Sequence, residues 1–301
     1  MYNILILGKG FMGTRIHERL QASDNINSSI YSRQDLDYTD MMKLNESFMK
    51  KPFPDIIINA SGYTGKPNVD ACENDKESCW NMNTILPADL QRFCQYAGIL
   101  LIHISSGCIY DGYEKEFTEE DAPNFGMFSD RSSFYSKTKH AAELMMKDLT
   151  DTYIFRIRIP FTCDNTPRNY INKLLGYDTL ISLTNSITCV EEFTDMIFNM
   201  IDSRDIYSTP WGIYNVVNPG PVDAKEVTSI MSDHGYMNIN WKFIDIDDLD
   251  TKANRSNCIL SDNKLQSIGY GFKDTIESLN STLEKLSKNA KNSKKTIRKK
   301  D

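Results

Sequence analysis

The chain has 301 residues, of which 40% are hydrophobic and 25% charged, as in folded globular proteins and unlike disordered ones. Its formal net charge of −7 argues against a protein that binds the phosphate backbone of nucleic acids. The apolar runs are far shorter than the ~18 residues of a membrane span, so we expect no membrane segment.

In chain order, short apolar runs alternate with stretches of helical length. The helical stretches are Met12–Leu20, 84–97 and 133–149. The predicted strands are Tyr2–Leu7, Ser29–Tyr31, Asp55–Asn59, Leu100–Ser105, Tyr153–Arg158 and Gly212–Val217. Alternation of this kind is typical of α/β proteins, and it predicts a doubly wound parallel sheet.

From Pro160 onward the pattern becomes irregular, with loop-forming residues at 164–169 and 218–221. We predict a first domain over residues 1–160 and a smaller C-terminal α/β domain over 161–286. The segment 190–204 is expected to return to the first domain. Residues 287–301 are rich in lysine and poor in apolar side chains, which predicts a basic, disordered tail.

The cysteines and histidines indicate the compartment and the metal content. Seven cysteines without a repeated spacing predict reduced thiols in a cytoplasmic protein. The first predicted strand begins at Tyr2, so we expect no signal peptide. The four histidines are far apart and lack metal-ligand spacing, so no metal site is predicted.

Gly8-Lys9-Gly10-Phe11-Met12-Gly13 matches G-x-G-x-x-G between a predicted strand and a helix. The three glycines suit a tight turn, close approach of the backbone to a pyrophosphate, and close packing of helix on strand. The helix N-terminus adds free N–H groups that attract phosphates. We therefore predict a dinucleotide site in a Rossmann-type domain, formed by Gly8, Gly10, Phe11, Met12 and Gly13.

The second predicted strand ends in Tyr31-Ser32-Arg33, where sites selective for NAD carry an acid. An arginine can instead pair with a 2′-phosphate, so Ser32 and Arg33 predict NADPH, with NADH left open. Asp35 and Asp37 are alternative partners for the adenine or ribose. The small residues Asn59-Ala60-Ser61 follow the third strand, and they suit either a cofactor against the backbone or a plain tight turn.

Tyr135 and Lys139 are four residues apart on a predicted helix, so they share one face. The lysine charge would favour the tyrosine phenolate and make Tyr135 an acid or base near neutral pH. Ser106 ends an apolar strand about 30 residues earlier, where its hydroxyl could hold a substrate carbonyl. Cys108 is two residues further on, on the same side if the strand continues.

These motifs, in this order, resemble the extended short-chain dehydrogenase/reductases. Finer strings resemble the epimerase/reductases of the rhamnose pathway, which are relatives of the dTDP-4-dehydrorhamnose reductases. The similarity extends from about residue 2 to about residue 270. The strings are Gly65-Lys66-Pro67-Asn68-Val69-Asp70-Ala71-Cys72-Glu73, Ser106-Gly107-Cys108-Ile109-Tyr110, Phe134-Tyr135-Ser136-Lys137-Thr138-Lys139, Arg156-Ile157-Arg158-Ile159-Pro160, Pro167-Arg168-Asn169-Tyr170 and Arg255-Ser256-Asn257.

The resemblance implies conversion of UDP-4-keto-6-deoxy-D-glucose to UDP-L-rhamnose with NADPH, by 3,5-epimerisation and then 4-reduction. The family's epimerising cysteine and lysine correspond to Cys108 and Lys173, beside the reductase residues Ser106, Tyr135 and Lys139. Arginines at 168 and 255 suit the nucleotide phosphates, because their forked donors match phosphate oxygens. The substrate-binding candidates are Thr64, Asn83, Ser106, Gly107, Cys108, Arg168, Asn169 and Arg255.

Other features limit what the resemblance implies. Ser106 replaces the threonine of plant members, and the loop 110–131 differs from theirs in length and composition. The chain contains no dehydratase module, so we expect a separate upstream 4,6-dehydratase, and we expect a homodimer. Two alternatives stay open: a single-function 4-reductase in which Cys108 and Lys173 are bystanders, and a non-catalytic binding subunit with a reductase-like fold. The nucleobase, uridine or thymidine, is also open.

Overall fold

The computed structural model describes residues 1–49, 53–66, 68–146, 148–248 and 252–297, without the side chains of 290–297. The strands are β1 (Tyr2–Leu7), β2 (Ile26–Tyr31), β3 (Ile56–Asn59), β4 (Leu100–Ser106), β5 (Gly112–Phe117), β6 (Thr152–Ile157), β7 (Pro160–Phe161), β8 (Thr179–Ile181), β9 (Thr188–Cys189), β10 (Gly212–Asn215), β11 (Lys242–Ile244) and β12 (Cys258–Leu260). The α-helices are α1 (Phe11–Leu20), α2 (Met41–Phe48), α3 (Ala71–Asn74), α4 (Lys76–Trp80), α5 (Leu86–Ala97), α6 (Phe134–Met145), α7 (Tyr170–Gly176), α8 (Val190–Asp202), α9 (Ala224–Asp233), α10 (Asn263–Ser267) and α11 (Thr275–Ile297). A π-helical turn, Asn81–Ile85, leads into α5.

The six strands predicted from the sequence form one parallel sheet, in the order β10-β6-β4-β3-β1-β2. Their side chains are mostly apolar because helices cover both faces of the sheet. The prediction of a doubly wound α/β fold is confirmed. Strand β1 pairs with β2 on one side and with β3 on the other, so the strand order reverses there. Such a reversal opens a ligand crevice at the carboxyl ends of the strands.

Local sequence signals explain where several helices begin and end. Asp40 starts α2, because its carboxylate accepts a hydrogen bond from the Met42 N–H at 2.9 Å. Helix α5 ends at Gly98, whose φ of 66° is a left-handed conformation that glycine adopts without strain. Asp223 and Glu226 form a reciprocal capping box at the start of α9.

A second apolar core lies in the C-terminal half, between α7, α9 and α11. The parallel pairs β7/β9 and β8/β11 accompany these helices, as expected for a smaller α/β unit. Helix α8 instead packs Phe193 and Ile197 with Ile16 and Leu20 of α1 in the core of the main sheet. The return predicted for 190–204 therefore contains α8, and the chain continues from there into β10 of the same sheet.

The predicted disordered tail, 287–301, begins inside α11. The backbone is helical as far as Ile297, and residues 298–301 lie outside the described residues. No helix within the described ranges is long and apolar enough to cross a membrane.

Candidate active site

The glycine turn after β1 leaves no room for side chains at two of its three glycines. A Cβ on Gly13 would lie 2.1 Å from the Gly8 carbonyl oxygen, and a Cβ on Gly8 would lie 2.6 Å from the Ser61 nitrogen. Gly8 also has a φ of 106°, which favours glycine. A Cβ on Gly10 would meet no atom within 4 Å, and no side chain caps the N-terminus of α1. The turn thus offers open space and free N–H groups, which fit a pyrophosphate.

The predicted 2′-phosphate residues lie at the end of β2. The Ser32 hydroxyl donates to Asp35 at 2.8 Å, and the Ser32 N–H donates to the same oxygen at 3.0 Å. These bonds, and then the nearby Lys9 charge, lower the pKa of Asp35. Arg33 is exposed and close enough to Tyr38 for its charge to act on the Tyr38 pKa. The sequence analysis missed Lys9 as a second cation here, although it stands between two motif glycines.

Asn59 shapes the turn that follows β3. Its side-chain oxygen Oδ1 accepts from the Ser61 N–H at 3.1 Å and from the Ser61 hydroxyl at 2.5 Å. Its amide nitrogen lies 3.1 Å from His103 Nδ1, and both side chains are fully buried. Burial, followed by the Lys139 charge, lowers the pKa of His103 well below its usual value. Ala60 and Ser61 are held against Gly8, so this turn forms the second wall of the crevice.

Ser106, Tyr135 and Lys139 come together where β4 ends beside α6. Ser133 starts α6 by accepting from the Ser136 N–H at 3.1 Å, which sets the helix that carries both residues. The Lys139 ammonium lies 6.0 Å from the centroid of the Tyr135 ring and donates to the Ile104 carbonyl at 3.5 Å. Ser106 is close enough to Tyr135 to act on the Tyr135 pKa. The predicted grouping of a hydroxyl, a phenol and an ammonium is therefore present.

The protonation of Tyr135 differs from the sequence expectation. Burial and then the Cys108 thiol raise its pKa well above the usual value, and the hydrogen bond from Ser106 only partly opposes them. Burial also lowers the pKa of Lys139, against the neighbouring Cys108 and Glu143. Desolvation of the phenolate is therefore the largest influence on the Tyr135 pKa. Tyr135 is a protonated phenol at neutral pH, which is the form that an acid requires.

Cys108 lies directly beside Ser106. The Ser106 hydroxyl donates to the Cys108 sulfur at 3.1 Å, and the Cys108 N–H returns to the Ser106 oxygen at 3.3 Å. Between them, a Cβ on Gly107 would come within 2.4 Å of a Leu260 methyl group, so β12 packs closely on this turn. A thiol and a hydroxyl thus share one end of the cleft.

The two asparagines predicted to bind substrate are hydrogen-bonded to the backbone. Asn83, on the π-helical turn, accepts from the Tyr63 N–H at 2.7 Å and donates to the Tyr63 carbonyl at 2.8 Å. It thereby fixes the loop that contains Thr64. Asn169 caps α7 through the Ile171 N–H at 3.2 Å and donates to the Thr162 carbonyl at 2.8 Å. Both side chains are fully buried, and their substrate role stays a prediction.

Two arginines connect the C-terminal half to the loop after β3. Arg168 donates to the Gly65 carbonyl at 2.9 Å, and Arg255 pairs with Asp70 at 3.0 Å. Among the described residues, the buried Nη1 of Arg255 has no hydrogen-bond partner. Burial and then the Arg168 charge lower the pKa of Lys173 on α7. The geometry gathers these cations at one side of the cleft.

One group of metal-ligand types lies between the two halves. Ligand atoms of Cys163, Asp164 and Glu191 are within 4.8 Å of one another, a grouping that histidine spacing could not reveal. Glu191 accepts from the Thr162 hydroxyl at 2.5 Å and the Cys163 N–H at 3.0 Å. Asp164 pairs with Arg15 at 2.9 Å. Both carboxylates are thus satisfied by protein donors.

Comparison with known proteins identifies the family. The family described as the RmlD substrate binding domain matches residues 2–288. The chain belongs to this family. The resemblance that the motifs predicted is thereby confirmed.

Individual relatives agree with this assignment. A bifunctional dTDP-4-dehydrorhamnose 3,5-epimerase/dTDP-4-dehydrorhamnose reductase of Arabidopsis thaliana is 34% identical over 63% of this chain, a match that spans 62% of that protein's length. The crystal structure of the L780 UDP-rhamnose synthase of Acanthamoeba polyphaga mimivirus superimposes with a TM-score of 0.83 at 28% identity, covering 94% of this chain and 99% of that one. A Bacillus anthracis dTDP-4-dehydrorhamnose reductase in complex with NADP shares the fold, with a TM-score of 0.79 at 20% identity over 93% and 98% of the chains.

Proposed function

We propose that the chain is an NADPH-dependent nucleotide-sugar 3,5-epimerase/4-reductase that converts UDP-4-keto-6-deoxy-D-glucose to UDP-L-rhamnose. The observation that carries this proposal is the 3.1 Å contact between Ser106 and Cys108, in the cleft that also holds Tyr135 and Lys139. In this proposal the Ser106 hydroxyl takes part in the reduction and the Cys108 thiol in the epimerisation. The similarity over nearly the full length to a UDP-rhamnose synthase supports the same combination.

The residues of the crevice fit a nicotinamide dinucleotide. Gly10 and the free N-terminus of α1 would hold the pyrophosphate, while Arg33 and Lys9 supply positive charge near the adenosine ribose. When bound, the reduced cofactor supplies the hydride for C4. The Ser32 hydroxyl already donates to Asp35, so a 2′-phosphate would have to share this hydroxyl with the Asp35 carboxylate.

Reduction at C4 needs a proton for the developing alkoxide. Ser106 would hydrogen-bond the C4 carbonyl, and Tyr135, which burial keeps protonated, would donate its proton to that oxygen. Lys139 would then stabilise the phenolate that forms, because its ammonium lies 6.0 Å from the centroid of the Tyr135 ring.

The C4 ketone acidifies the hydrogens at C3 and C5. Inversion of either carbon needs a base that removes the proton from one face of the sugar ring and an acid that returns a proton to the other face. Cys108 and Lys173 are the proposed pair. Cys108 lies beside the proposed carbonyl-binding hydroxyl. Lys173 approaches from the C-terminal half, and its lowered pKa makes the neutral amine accessible at lower pH than in a free lysine.

The deciding experiment follows deuterium into the substrate. Protein with NADP+ is incubated with UDP-4-keto-6-deoxyglucose in deuterated water, and exchange at C3 and C5 is read by NMR. We expect exchange at both carbons with wild type and Tyr135→Phe, and loss at one or both with Cys108→Ala and Lys173→Ala. A parallel incubation with NADPH should give the rhamnose configuration.

The other outcomes distinguish the alternatives. Wild type that reduces only pre-epimerised sugar, with exchange at neither carbon, would leave a single-function 4-reductase. Undiminished exchange in both variants would keep epimerisation but assign it to other residues. No turnover with UDP- or dTDP-linked sugar would indicate a binding subunit. The separate 4,6-dehydratase, the homodimer and the cytoplasmic location stay predictions.

A further inference from the structure

Arg158, the residue after β6, is a buried guanidinium bound entirely to neutral oxygens. Its side chain is only 4% exposed. The oxygens that accept from it, in the described part of the chain, belong to Asn185 and Ser256. Arg156, two residues earlier, shows the usual arrangement, because it pairs with Glu143 at 2.6 Å. Within the described ranges, the Arg158 guanidinium is therefore hydrogen-bonded but has no carboxylate at salt-bridge distance.

Ser256 connects Arg158 to the active-site turn. It is 98 residues away along the chain, yet its hydroxyl and carbonyl accept from Arg158 at 3.0 and 2.6 Å. The same hydroxyl donates to the Tyr110 carbonyl at 2.5 Å, just beyond Cys108. Arg158 thus joins two sequence motifs, Arg156–Pro160 and Arg255–Asn257.

The neighbour of Ser256 is Arg255, a predicted ligand of the nucleotide phosphates. Asp70 holds one nitrogen of its guanidinium at 3.0 Å. The other terminal nitrogen is buried and, among the described residues, has no acceptor. A buried donor without an acceptor is costly unless a ligand supplies one.

The backbone beside Arg158 is strained. Ile159 has a φ of 40°, in the left-handed region that β-branched residues rarely adopt. The Arg158 N–H donates to the Thr188 hydroxyl at 3.0 Å, and Pro160 pairs with Thr188 across β7 and β9. Such strain persists where surrounding contacts over-determine the conformation, and it is concentrated at functional sites.

We propose that Arg158 is a positioning residue for the nucleotide diphosphate. Through Ser256 it orients Arg255 and aligns the turn at Cys108, so that the diphosphate and the sugar ring are held in register. This inference rests on the proposed function, which supplies the nucleotide diphosphate as ligand. It assigns Arg158 to substrate affinity and not to hydride transfer.

The test compares four variants of the full chain, with NADP+ present only in the titrations with UDP and dTDP. Ser256→Ala removes one acceptor, Arg158→Met removes the guanidinium, and Arg158→Lys keeps the charge without the fork. Ser186→Ala is the matched control. The buried Ser186 hydroxyl accepts from the N–H of Leu260 at 2.9 Å, so the variant removes a hydrogen bond to the segment that contains Ser256 without touching Arg158. The Kd of UDP and of dTDP is measured by calorimetry, the Kd of NADPH by fluorescence, and KM and kcat with the 4-keto sugar.

We expect Ser256→Ala and both Arg158 variants to raise the diphosphate Kd and the sugar KM by roughly tenfold or more, the effect of losing one charge-assisted hydrogen bond. NADPH affinity, and the saturated rate of hydride transfer to pre-epimerised sugar, should stay within about twofold, because Ser106 and Tyr135 are untouched. A merely structural role would lower the active fraction without changing any Kd. If Arg158→Met does not fold, the other two variants decide.

Three results would overturn the proposal. Unchanged diphosphate affinity in Ser256→Ala and Arg158→Lys would show that Arg158 has no role in substrate binding. If wild type still turns over the sugar, the proposed function would stand without this inference. Full rescue by Arg158→Lys would make charge, and not positioning, the cause. An equal loss in Ser186→Ala would indicate general loosening of the segment. Wild type that neither binds a diphosphate nor reduces the sugar would instead refute the proposed function, and this inference with it.

Discussion

Gly13 and Gly10 should respond differently to the same substitution, alanine. At Gly13 the added Cβ would lie 2.1 Å from the Gly8 carbonyl oxygen, more than 1 Å inside an ordinary contact. The turn around Gly8 is itself confined, since a Cβ on Gly8 would lie 2.6 Å from the Ser61 nitrogen. Overpacking of this kind costs about 1–3 kcal/mol, so Gly13→Ala should lower the free energy of unfolding by that amount. NADPH affinity should fall as well, because the turn is displaced.

At Gly10 the Cβ meets open space, and the φ of −105° suits alanine. The poorer helix cap and the reduced entropy of the unfolded chain offset each other, so the free energy of unfolding should change by less than ~1 kcal/mol. A methyl group in the path of the pyrophosphate should raise the Kd of NADPH about tenfold or more, which is ~1.4 kcal/mol.

Urea unfolding of the cofactor-free protein and fluorescence titration with NADPH measure the two effects separately. Gly10→Ala that folds and binds NADPH like wild type would show that the dinucleotide does not cross this turn. Gly13→Ala with an unchanged free energy of unfolding would refute the steric argument.

Three further predictions concern the chemistry. Tyr135→Phe should lower the rate of reduction by ~10²–10⁴-fold at unchanged NADPH affinity, measured by stopped-flow oxidation of NADPH; near-normal turnover would place the acid elsewhere. Arg33→Ala should weaken NADPH and leave NADH unchanged in parallel titrations, because only the former carries the 2′-phosphate; equal effects on both cofactors would exclude Arg33 as the reader. Arg168→Met removes a cation that lowers the pKa of Lys173, so the pH inflection of deuterium exchange at one ring carbon should move to higher pH at saturating substrate. An inflection that does not move would separate Lys173 from that step.

The main sheet could be predicted because most of its strands are buried on both faces. Apolar runs such as Ile56–Asn59 and Leu100–Ser106 therefore stand out against amphipathic helices. The short strands β7, β8 and β9 have two or three residues each, too few for a periodic pattern. Their pairing depends on tertiary contacts, which explains why the sequence pattern of the C-terminal half is irregular.

The grouping of Ser106, Tyr135 and Lys139 could be predicted because each lies at a position that the local structure dictates. Ser106 ends a buried strand, and Tyr135 and Lys139 are one helical turn apart. The occupied hydrogen bonds of Asn83 and Asn169 could not be predicted, because their partners are backbone groups of distant or irregular loops. The raised pKa of Tyr135 depends on burial, which no pair of sequence positions reveals.

The contacts around the cleft imply a division between stability and affinity. Polar side-chain contacts join the segments that meet there, among them Arg255 with Asp70 and Ser256 with Arg158. The two largest apolar cores lie in the main sheet and between α7, α9 and α11, and a smaller apolar cluster with Tyr110, Cys258 and Leu260 lies at the seam itself. Burial of apolar area supplies most of the folding free energy, whereas each polar contact of the seam contributes little by itself. Substitutions along the seam should therefore change substrate affinity before they change the free energy of unfolding, since their effect falls on the relative placement of the two halves.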